Sequence, residues 1–434
     1  MIDQLRSVLS NYKNVERHIY FLIGAEFFLQ LINSSFFLLL NYFLEKEGFP
    51  DYRIAELVGG RFLAVMLLAT PLGFLIRGKK LKPFFLVAAI SMPLISLTIL
   101  FAAEQQNEWL LNWSIRLWGC SFVFMQVTAL PFILLNSKKE NHSEAISMFF
   151  QTWSTSIFLV GILNFILNGI NPEFFDEKRV LQFFSILGFV AVWFILKIDL
   201  EEKKSAPLPF RQVNGPKDIF NAFYDVFIVP YDWKLIIQAA TPTLIIAIGA
   251  GFTIPVINLF FLNVHGVESR TFSLLGASTF LLVAVGMTFM PVIKRRYGYM
   301  IAITLFQSLA VIALLMLVTT EYYRSWEYAL PIAIFFYIIR QPLMNVAGPM
   351  TSELTLYYVG KRNQEMISAL NASIWSGSWF ISMEIFAFLR RMEWRYVSIF
   401  LITVVLYIFG ILWYVYLIKT YEQREAEKRL ESSV

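Results

Sequence analysis

Long runs of apolar residues alternate with short polar connections along nearly the whole chain. A helix needs about 20 mostly apolar residues to cross a bilayer, and twelve segments meet this requirement. They cover residues 19–44, 54–76, 82–103, 110–136, 145–170, 180–199, 234–263, 271–293, 299–320, 328–356, 365–389 and 396–418. The pattern predicts an all-α integral membrane protein, with twelve transmembrane helices in two pseudo-symmetric six-helix bundles.

The predicted domains follow from the longest polar stretch in the chain. Residues 1–199 are expected to form an N-terminal six-helix bundle, and residues 234–434 a C-terminal six-helix bundle with a short cytoplasmic tail. Between them, residues 200–233 read as a cytoplasmic linker. Apolar side chains share one side of residues 217–228, which predicts an amphipathic helix at the membrane surface.

Two short patterns occur once in each half of the chain. Gly24-Ala25-x-Phe27 followed by Ile32-Asn33 recurs as Gly249-Ala250-x-Phe252 followed by Ile257-Asn258. Glu144-Ala-Ile-Ser147 leading to Trp153 is echoed by Glu365-Met-Ile-Ser368 leading to Trp375. Two homologous halves built of apolar helices are typical of secondary transporters.

Composition narrows the possible classes of protein. Hydrophobic residues make up 57% of the 434 residues and charged residues only 15%, whereas a soluble domain carries about 25% charge. A single cysteine, Cys120, and three histidines argue against a metal site, and no cofactor is expected.

The basic residues are divided among short loops, so nucleic acid is not an expected partner. The polar first 18 residues carry no cleavable signal.

The basic residues also predict an orientation. If both termini and every even-to-odd connection are cytoplasmic, most of the 36 Lys and Arg residues lie on that side, in agreement with the positive-inside rule. Arg390, Arg391 and Arg395 are the external cluster that breaks the rule. The predicted location is the cell (inner) membrane, spanned many times with both termini cytoplasmic.

Ionisable groups inside apolar segments are costly and therefore mark candidate functional sites. Glu26 in the first segment begins a polar stripe with Gln30 and Asn33, at helical spacing on one face. A carboxylate with such neighbours is a candidate for proton coupling, the alternative being a structural bond to a nearby helix. Glu26 lies in the inner third of its segment and Arg61 about 9 Å into its own from the outer side, at 1.5 Å per residue, so a direct bridge between them is not expected.

Arginines give the predicted cavity an excess of positive charge. Arg61, Arg116 and Arg340 lie within apolar segments, and guanidinium groups facing a cavity would suit a carboxylate or phosphate. The alternative is that they bond backbone carbonyls and fix helix packing. Gln30 and Asn33 are candidate substrate-binding residues as well. The further candidates are Asn258, the repeat counterpart of Asn33, together with Asn345, Asn371 and Trp375. Sodium coupling stays open, because these amides and a carboxylate supply oxygen ligands.

Several local motifs resemble those of the major facilitator superfamily. The connection Gly73-Phe-Leu-Ile-Arg77-Gly78-Lys79-Lys80 resembles a shortened form of its loop between helices 2 and 3, without the usual Asp. Lys294-Arg-Arg-Tyr-Gly298 is similar to the equivalent loop of the second half, and Arg116-Leu-Trp-Gly119 to a helix 4 signature with its Gly one place early. The Gly-Pro signature of drug antiporters is absent from Phe158-Leu-Val-Gly161-Ile-Leu-Asn164.

The resemblance implies alternating access by a monomer, with helices 1, 4, 7 and 10 lining a central site. The favoured function is secondary active transport of a small organic solute, anionic or zwitterionic, by a proton-coupled symporter or antiporter in the lipid bilayer. A multidrug/proton antiporter that exports amphipathic or cationic compounds is the first alternative. A non-transporting membrane sensor or scaffold is the second. An enzyme is not expected, because neither a nucleophile triad nor a paired-carboxylate arrangement is found.

Overall fold

A computed structural model of the chain describes residues 15–76, 79–138, 141–199, 231–360 and 363–433. The predicted amphipathic helix at 217–228 lies outside these residues. Every regular element in the described ranges is helical, as the apolar pattern predicts. Contacts divide the chain into two compact units: residues 1–49 with 60–229, and residues 50–59 with 230–434.

Seven helices lie wholly or mostly in the first unit. They are α1 (Arg17–Lys46), α2 (Asp51–Leu75), α3 (Lys82–Glu104), α4 (Glu108–Asn136), α5 (His142–Ile170), α6 (Glu177–Leu187) and α7 (Val190–Leu196). Helix α1 is buried along most of its length because α5, α6 and α7 pack against it. Side chains cap two helix starts: Asn107 accepts a bond from the Leu110 amide at 3.0 Å, and Asp176 one from the Arg179 amide at 2.8 Å.

Eight α-helices lie in the second unit. They are α8 (Trp233–Thr253), α9 (Ile257–His265), α10 (Ser269–Tyr299), α11 (Phe306–Thr319), α12 (Ala329–Val346), α13 (Gly348–Val359), α14 (Gln364–Arg391) and α15 (Tyr396–Ser433). A 3₁₀ turn, Ile254–Val256, joins α8 to α9, and a wider π-helical turn, Met300–Leu305, precedes α11. Helix α8 packs against α14 and α15 as α1 packs against the last helices of its own unit.

Ten helical stretches among the described residues are long and apolar enough to cross a membrane. They are Arg17–Lys46, Lys82–Glu104, Glu108–Asn136, Ala145–Ile170, Glu177–Leu196, Trp233–His265, Ser269–Gly286, Ile293–Thr319, Ala329–Val359 and Tyr396–Glu427. The chain is therefore a multi-pass membrane protein. Helices α2 and α14 cover the remaining two predicted segments but fall outside this set, and both carry charges, such as Arg61 and Glu384.

Among the described residues, the stretches Trp233–His265 and Ala329–Val359 are interrupted next to a proline. Pro255 lies in the 3₁₀ turn between α8 and α9, where the regular bonding of the helix is lost. The second interruption is at Ala347, between α12 and α13, and Pro349 is among the first residues of α13. Such breaks occur at membrane depth where neighbouring groups or a cavity satisfy the freed backbone.

Polar contacts between helices add to packing inside each unit. Trp118 on α4 donates to Ser96 on α3 at 2.8 Å, and the Thr253 and Thr403 hydroxyls bond at 2.7 Å between α8 and α15. Lipid tails are as apolar as the side chains, so burial alone does not hold membrane helices together. Bonds of this kind contribute about 0.6 kcal/mol each.

Arg390, Arg391 and Arg395, which the predicted orientation places outside the cell, are paired with carboxylates in the second unit. Arg390 pairs with Asp51 at 2.6 Å, Arg391 with Glu56, and Arg395 with Glu321 at 3.4 Å. The Tyr396 hydroxyl also donates to Asp51 at 2.8 Å. These contacts explain why the first residues of α2 group with the second unit. Ion pairing removes most of the free positive charge that made the cluster exceptional.

Candidate functional site

The polar stripe on α1 forms a continuous line of hydrogen bonds. Gln30 donates from Nε2 to Oε1 of Glu26 at 2.7 Å, and Asn33 donates from Nδ2 to Oε1 of Gln30 at 2.9 Å. All three residues are buried, with Glu26 only 1% exposed. The spacing of four and then three residues places them on one helix face, which is why neighbouring side chains reach one another.

Arg61 on α2 extends this line from a second helix. Its Nη2 donates to Oδ1 of Asn33 at 2.7 Å. The guanidinium lies over the Trp118 ring, with 4.3 Å between Cζ and the ring centroid. The absence of a direct Glu26–Arg61 contact agrees with the depth argument, but the two charged groups are connected through Asn33 and Gln30. We call these four residues, Arg61, Asn33, Gln30 and Glu26, the polar chain.

Gln126 on α4 is a site residue that sequence reasoning missed. Its Nε2 donates to Oε1 of Glu26 at 2.7 Å, so one carboxylate oxygen accepts two amide bonds. The second oxygen, Oε2, is buried and has no hydrogen-bond partner among the described residues. A glutamine in the middle of an apolar segment was a usable signal, by the same polarity criterion that selected Gln30.

Glu26 lies in a setting with little compensation for negative charge. Among the described residues, no Lys, Arg or His lies within ion-pair distance of its carboxylate. Amide donors compensate a carboxylate only in part, and an unpaired charge away from water is costly. Oε2, which no donor occupies, is thus the oxygen at which a proton or a ligand would add.

Arg116 lies on α4 within the first unit. Its Nη1 makes long contacts with the backbone oxygen and the Oδ1 of Asn112, at 3.3 and 3.4 Å. Its Cζ is 5.8 Å from the centroid of the Trp113 ring. No described carboxylate forms an ion pair with Arg116.

Arg340 is the most deeply buried arginine described in the second unit. It is 1% exposed, and its Nη1 donates to Oε1 of Gln341 at 3.0 Å. Nε and Nη2 are buried without a hydrogen-bond partner among the described residues. Tyr337 lies within electrostatic range of the guanidinium, and the Tyr407 hydroxyl is close enough to be its nearest polar neighbour from α15. A buried cation with free donors is a group that an anion would stabilise.

The remaining predicted residues of the second unit have mostly local partners. Asn258, at the start of α9, accepts a bond from the Leu259 amide at 2.9 Å, and Asn345 donates to the Gln341 carbonyl at 2.8 Å. Asn371 has a buried Oδ1 without a hydrogen-bond partner in the described part of the chain. Trp375 is 40% exposed, and its ring centroid lies 6.3 Å from that of Trp379.

Comparison with known proteins identifies the fold. No family model and no curated protein sequence matches the chain. The POT family transporter PepTSo superposes with a TM-score of 0.71 at 12% identity, over 94% of this chain and 98% of its own. The nucleoside transporter NupG gives 0.68 at 10% identity, over 92% of this chain and 100% of its own. A D-xylose-proton symporter superposes with a TM-score of 0.68 at 10% identity, over 91% of this chain and 95% of its own.

These likenesses extend over nearly all of each chain, so they concern the whole fold. The structure therefore has the major facilitator-type fold, as the local motifs predicted. At 10 to 12% identity the likeness establishes the fold.

Proposed function

We propose that the chain is a secondary active transporter that couples movement of a small organic solute to protons through Glu26. The observation that carries the proposal is the carboxylate geometry: two amides occupy Oε1, while Oε2 is buried and has no described partner. A carboxyl group whose second oxygen is free of donors has room for a proton. Repeated gain and loss of that proton is what coupling requires.

The fold supports the transporter part of this proposal. Structures with the same architecture include a nucleoside transporter, a POT family peptide transporter and a D-xylose-proton symporter. Their solutes differ widely, so the solute must be inferred from the side chains of this chain. We propose twelve membrane helices in two six-helix bundles, which alternate between openings to the two sides of the membrane.

An anionic or zwitterionic solute fits the charges best. Arg61, Arg116 and Arg340 all lie in membrane segments, and none of them forms an ion pair with a described carboxylate. Arg340 also keeps two buried nitrogens without a described partner. Groups of this kind favour a carboxylate or phosphate, because charge-assisted hydrogen bonds to such groups are short and strong.

The remaining parts of the proposal concern placement. We place the protein in the cell (inner) membrane as a monomer, with both termini in the cytoplasm. The pairing of Arg390, Arg391 and Arg395 with carboxylates supports this orientation, since it accounts for the external cluster of positive charge.

Proton movement in proteoliposomes tests the proposal. Vesicles that hold a pH-sensitive dye receive a pool of organic anions, then a pool of lipophilic cations, with and without sodium. A dye signal from the anion pool that Glu26→Gln vesicles lack supports the proposal. A signal from the cation pool alone would favour a drug exporter and structural roles for the arginines. A sodium-dependent flux without a dye signal would replace the proton by sodium.

A further inference from the structure

The Arg340 guanidinium offers one complete edge of hydrogen-bond donors. Gln341 accepts a bond from Nη1 at 3.0 Å, while Nε and Nη2 are buried without a hydrogen-bond partner among the described residues. These two nitrogens lie on the same edge of the planar group, and their parallel N–H bonds match the two oxygens of a carboxylate. At Arg61, by contrast, Asn33 takes Nη2 of the same edge. Arg340 therefore keeps the whole fork with which an arginine binds an oxyanion in a bidentate manner.

The Tyr407 hydroxyl adds a third donor beside this guanidinium. Tyr407 on α15 interacts with Arg340 on α12, but its hydroxyl is buried and makes no hydrogen bond of regular geometry with any described residue. A tyrosine hydroxyl can donate a hydrogen bond, and a guanidinium can only donate. An acceptor bound at Arg340 would therefore satisfy the Tyr407 hydroxyl as well.

Contacts between α8 and α15 hold Tyr407 in place. Its ring packs against Gly249 of α8. One helical turn earlier on α15, the Thr403 hydroxyl is hydrogen-bonded to the Gly249 carbonyl at 2.8 Å and to the Thr253 hydroxyl at 2.7 Å. A side chain that is fixed before binding loses little conformational freedom when a ligand arrives, which favours affinity.

Aromatic side chains line the turn of α12 that precedes Arg340. Tyr337 lies three residues before the arginine and within electrostatic range of its charge. The Tyr337 ring centroid is 5.2 Å from that of Phe261 and 5.6 Å from that of Phe272. Hydrogen bonds to a charged group are stronger in such surroundings than in water, and an unpaired charge there is costly.

The charge of the site favours a carboxylate over a phosphate. No described carboxylate forms an ion pair with Arg340, so the ligand has one positive charge to neutralise. A carboxylate carries one negative charge. A phosphate monoester carries about 1.5 to 2 at neutral pH, which would leave a surplus of negative charge beside the tyrosines.

We propose that the Nε–Nη2 edge of Arg340 binds the carboxylate group of the solute in a bidentate manner, and that the Tyr407 hydroxyl donates a third hydrogen bond to it. This inference rests on the proposed function. It adds to that function a class of ligand, a binding geometry and a further binding residue, Tyr407.

Melting titrations of the purified full chain in detergent test this site without any transport. Sodium acetate or sodium phosphate replaces sodium chloride at constant ionic strength and neutral pH. A ligand that binds the folded chain raises the melting midpoint in a saturable way. We expect acetate to do so in the wild type, with a lower apparent Kd than inorganic phosphate.

Two variants separate the fork from the hydroxyl. Arg340→Lys keeps a positive charge but lacks the planar fork, so it should raise the apparent Kd for acetate by about tenfold or more. Tyr407→Phe removes the hydroxyl alone and should raise it by about threefold to tenfold. Tyr414→Phe is the matched control, because it removes the buried hydroxyl of another α15 tyrosine, which lies 3.4 Å from the Thr243 hydroxyl. It should keep the wild-type affinity for acetate.

Each contrary result removes a defined part of the proposal. The absence of a saturable acetate effect on the wild type overturns the site. Equal acetate affinity in Arg340→Lys and the wild type refutes bidentate binding, and equal affinity in Tyr407→Phe removes the tyrosine from the site. Tighter binding of phosphate than of acetate refutes the assignment to a carboxylate. If Arg340→Lys gives no folded size-exclusion peak, the comparison of Tyr407→Phe with Tyr414→Phe decides.

The carboxylate site and the proposed function fail in different ways. Acetate binding is measured without a membrane or a proton gradient, so its absence leaves a Glu26-dependent dye signal in proteoliposomes intact. If acetate binds as expected but the dye experiment shows no flux, the carboxylate site stands and the transport proposal is lost.

Discussion

Phe194 occupies the space that a side chain on Gly24 would need. A Cβ added to Gly24 would lie 2.5 Å from Cε1 of the ring, closer than any real contact. Phe194 belongs to α7 and Gly24 to α1, so the glycine allows the last membrane stretch of the first unit to pack directly on the first helix.

Gly249 and Tyr407 repeat this relationship in the second unit. A Cβ on Gly249 would lie 2.9 Å from the Tyr407 ring. The two glycines hold the same place in the repeated sequence pattern, and each faces an aromatic ring from the last membrane helix of its own unit. The repeat thus preserves a packing contact, which explains in physical terms why a glycine occurs at both positions.

The first prediction follows from this contact. Gly24→Ala should lower the free energy of unfolding by about 1–3 kcal/mol, because the new methyl group overpacks against Phe194. The measurement is the melting midpoint of the purified protein in detergent. Phe194→Leu in the same chain should recover part of the loss. Gly348→Ala is the control, since nothing lies within 4 Å of the position where its Cβ would be; equal losses in both alanine variants would argue against overpacking.

Much of this architecture could be predicted from the sequence, because membrane helices are encoded locally. The apolar runs predicted the helices, and the stripe of Glu26, Gln30 and Asn33 is visible because neighbours on a helix face are three or four residues apart. Gln126 is 100 residues away from Glu26 along the chain, and no local spacing relates them. The pairing of Arg390 with Asp51 spans 339 residues and was invisible for the same reason.

The second prediction concerns that pair. Arg390 binds Asp51 through Nη2 at 2.6 Å and through Nε at 2.8 Å, and both side chains are partly buried. Arg390→Ala should lower the free energy of unfolding by about 1.5–3 kcal/mol, which is the range for hydrogen bonds to charged groups. Thermal unfolding of the purified chain measures the loss. Asp51→Ala should cost a similar amount, and the double variant should cost clearly less than the sum. Simple additivity would mean that the pair contributes little.

The third prediction separates binding from folding at Arg340. Arg340→Ala should raise the KM for an anionic solute about tenfold to a hundredfold, because a charge-assisted contact worth about 1.5–3 kcal/mol is removed. Uptake kinetics in proteoliposomes measure the change. Thr355→Val is the control and should leave KM near the wild-type value, because the Thr355 hydroxyl bonds the Thr351 carbonyl of its own helix at 2.7 Å. Loss of the folded size-exclusion peak in Arg340→Ala would assign the arginine a structural role.

The fourth prediction concerns Gln126. Gln126→Leu removes one of the two amide donors of the Glu26 carboxylate. Such a donor stabilises the ionised form of the carboxyl group more than the protonated form, so its loss raises the pH at which Glu26 releases its proton. The pH dependence of uptake should therefore move to higher pH while the folded protein persists. Gln307→Leu, at a buried glutamine of the second unit, provides the comparison. An unchanged pH profile in Gln126→Leu would remove Gln126 from the proton site.

Glu26→Gln tests the central claim most directly, in proteoliposomes loaded with the solute identified by the dye experiment. Two fluxes are compared in one preparation: accumulation driven by a pH gradient, and exchange of labelled for unlabelled solute without a gradient. The account predicts that the variant loses gradient-driven accumulation and keeps exchange, while Glu384→Gln, at an exposed carboxylate, keeps both. Accumulation by Glu26→Gln at the wild-type level would contradict the account.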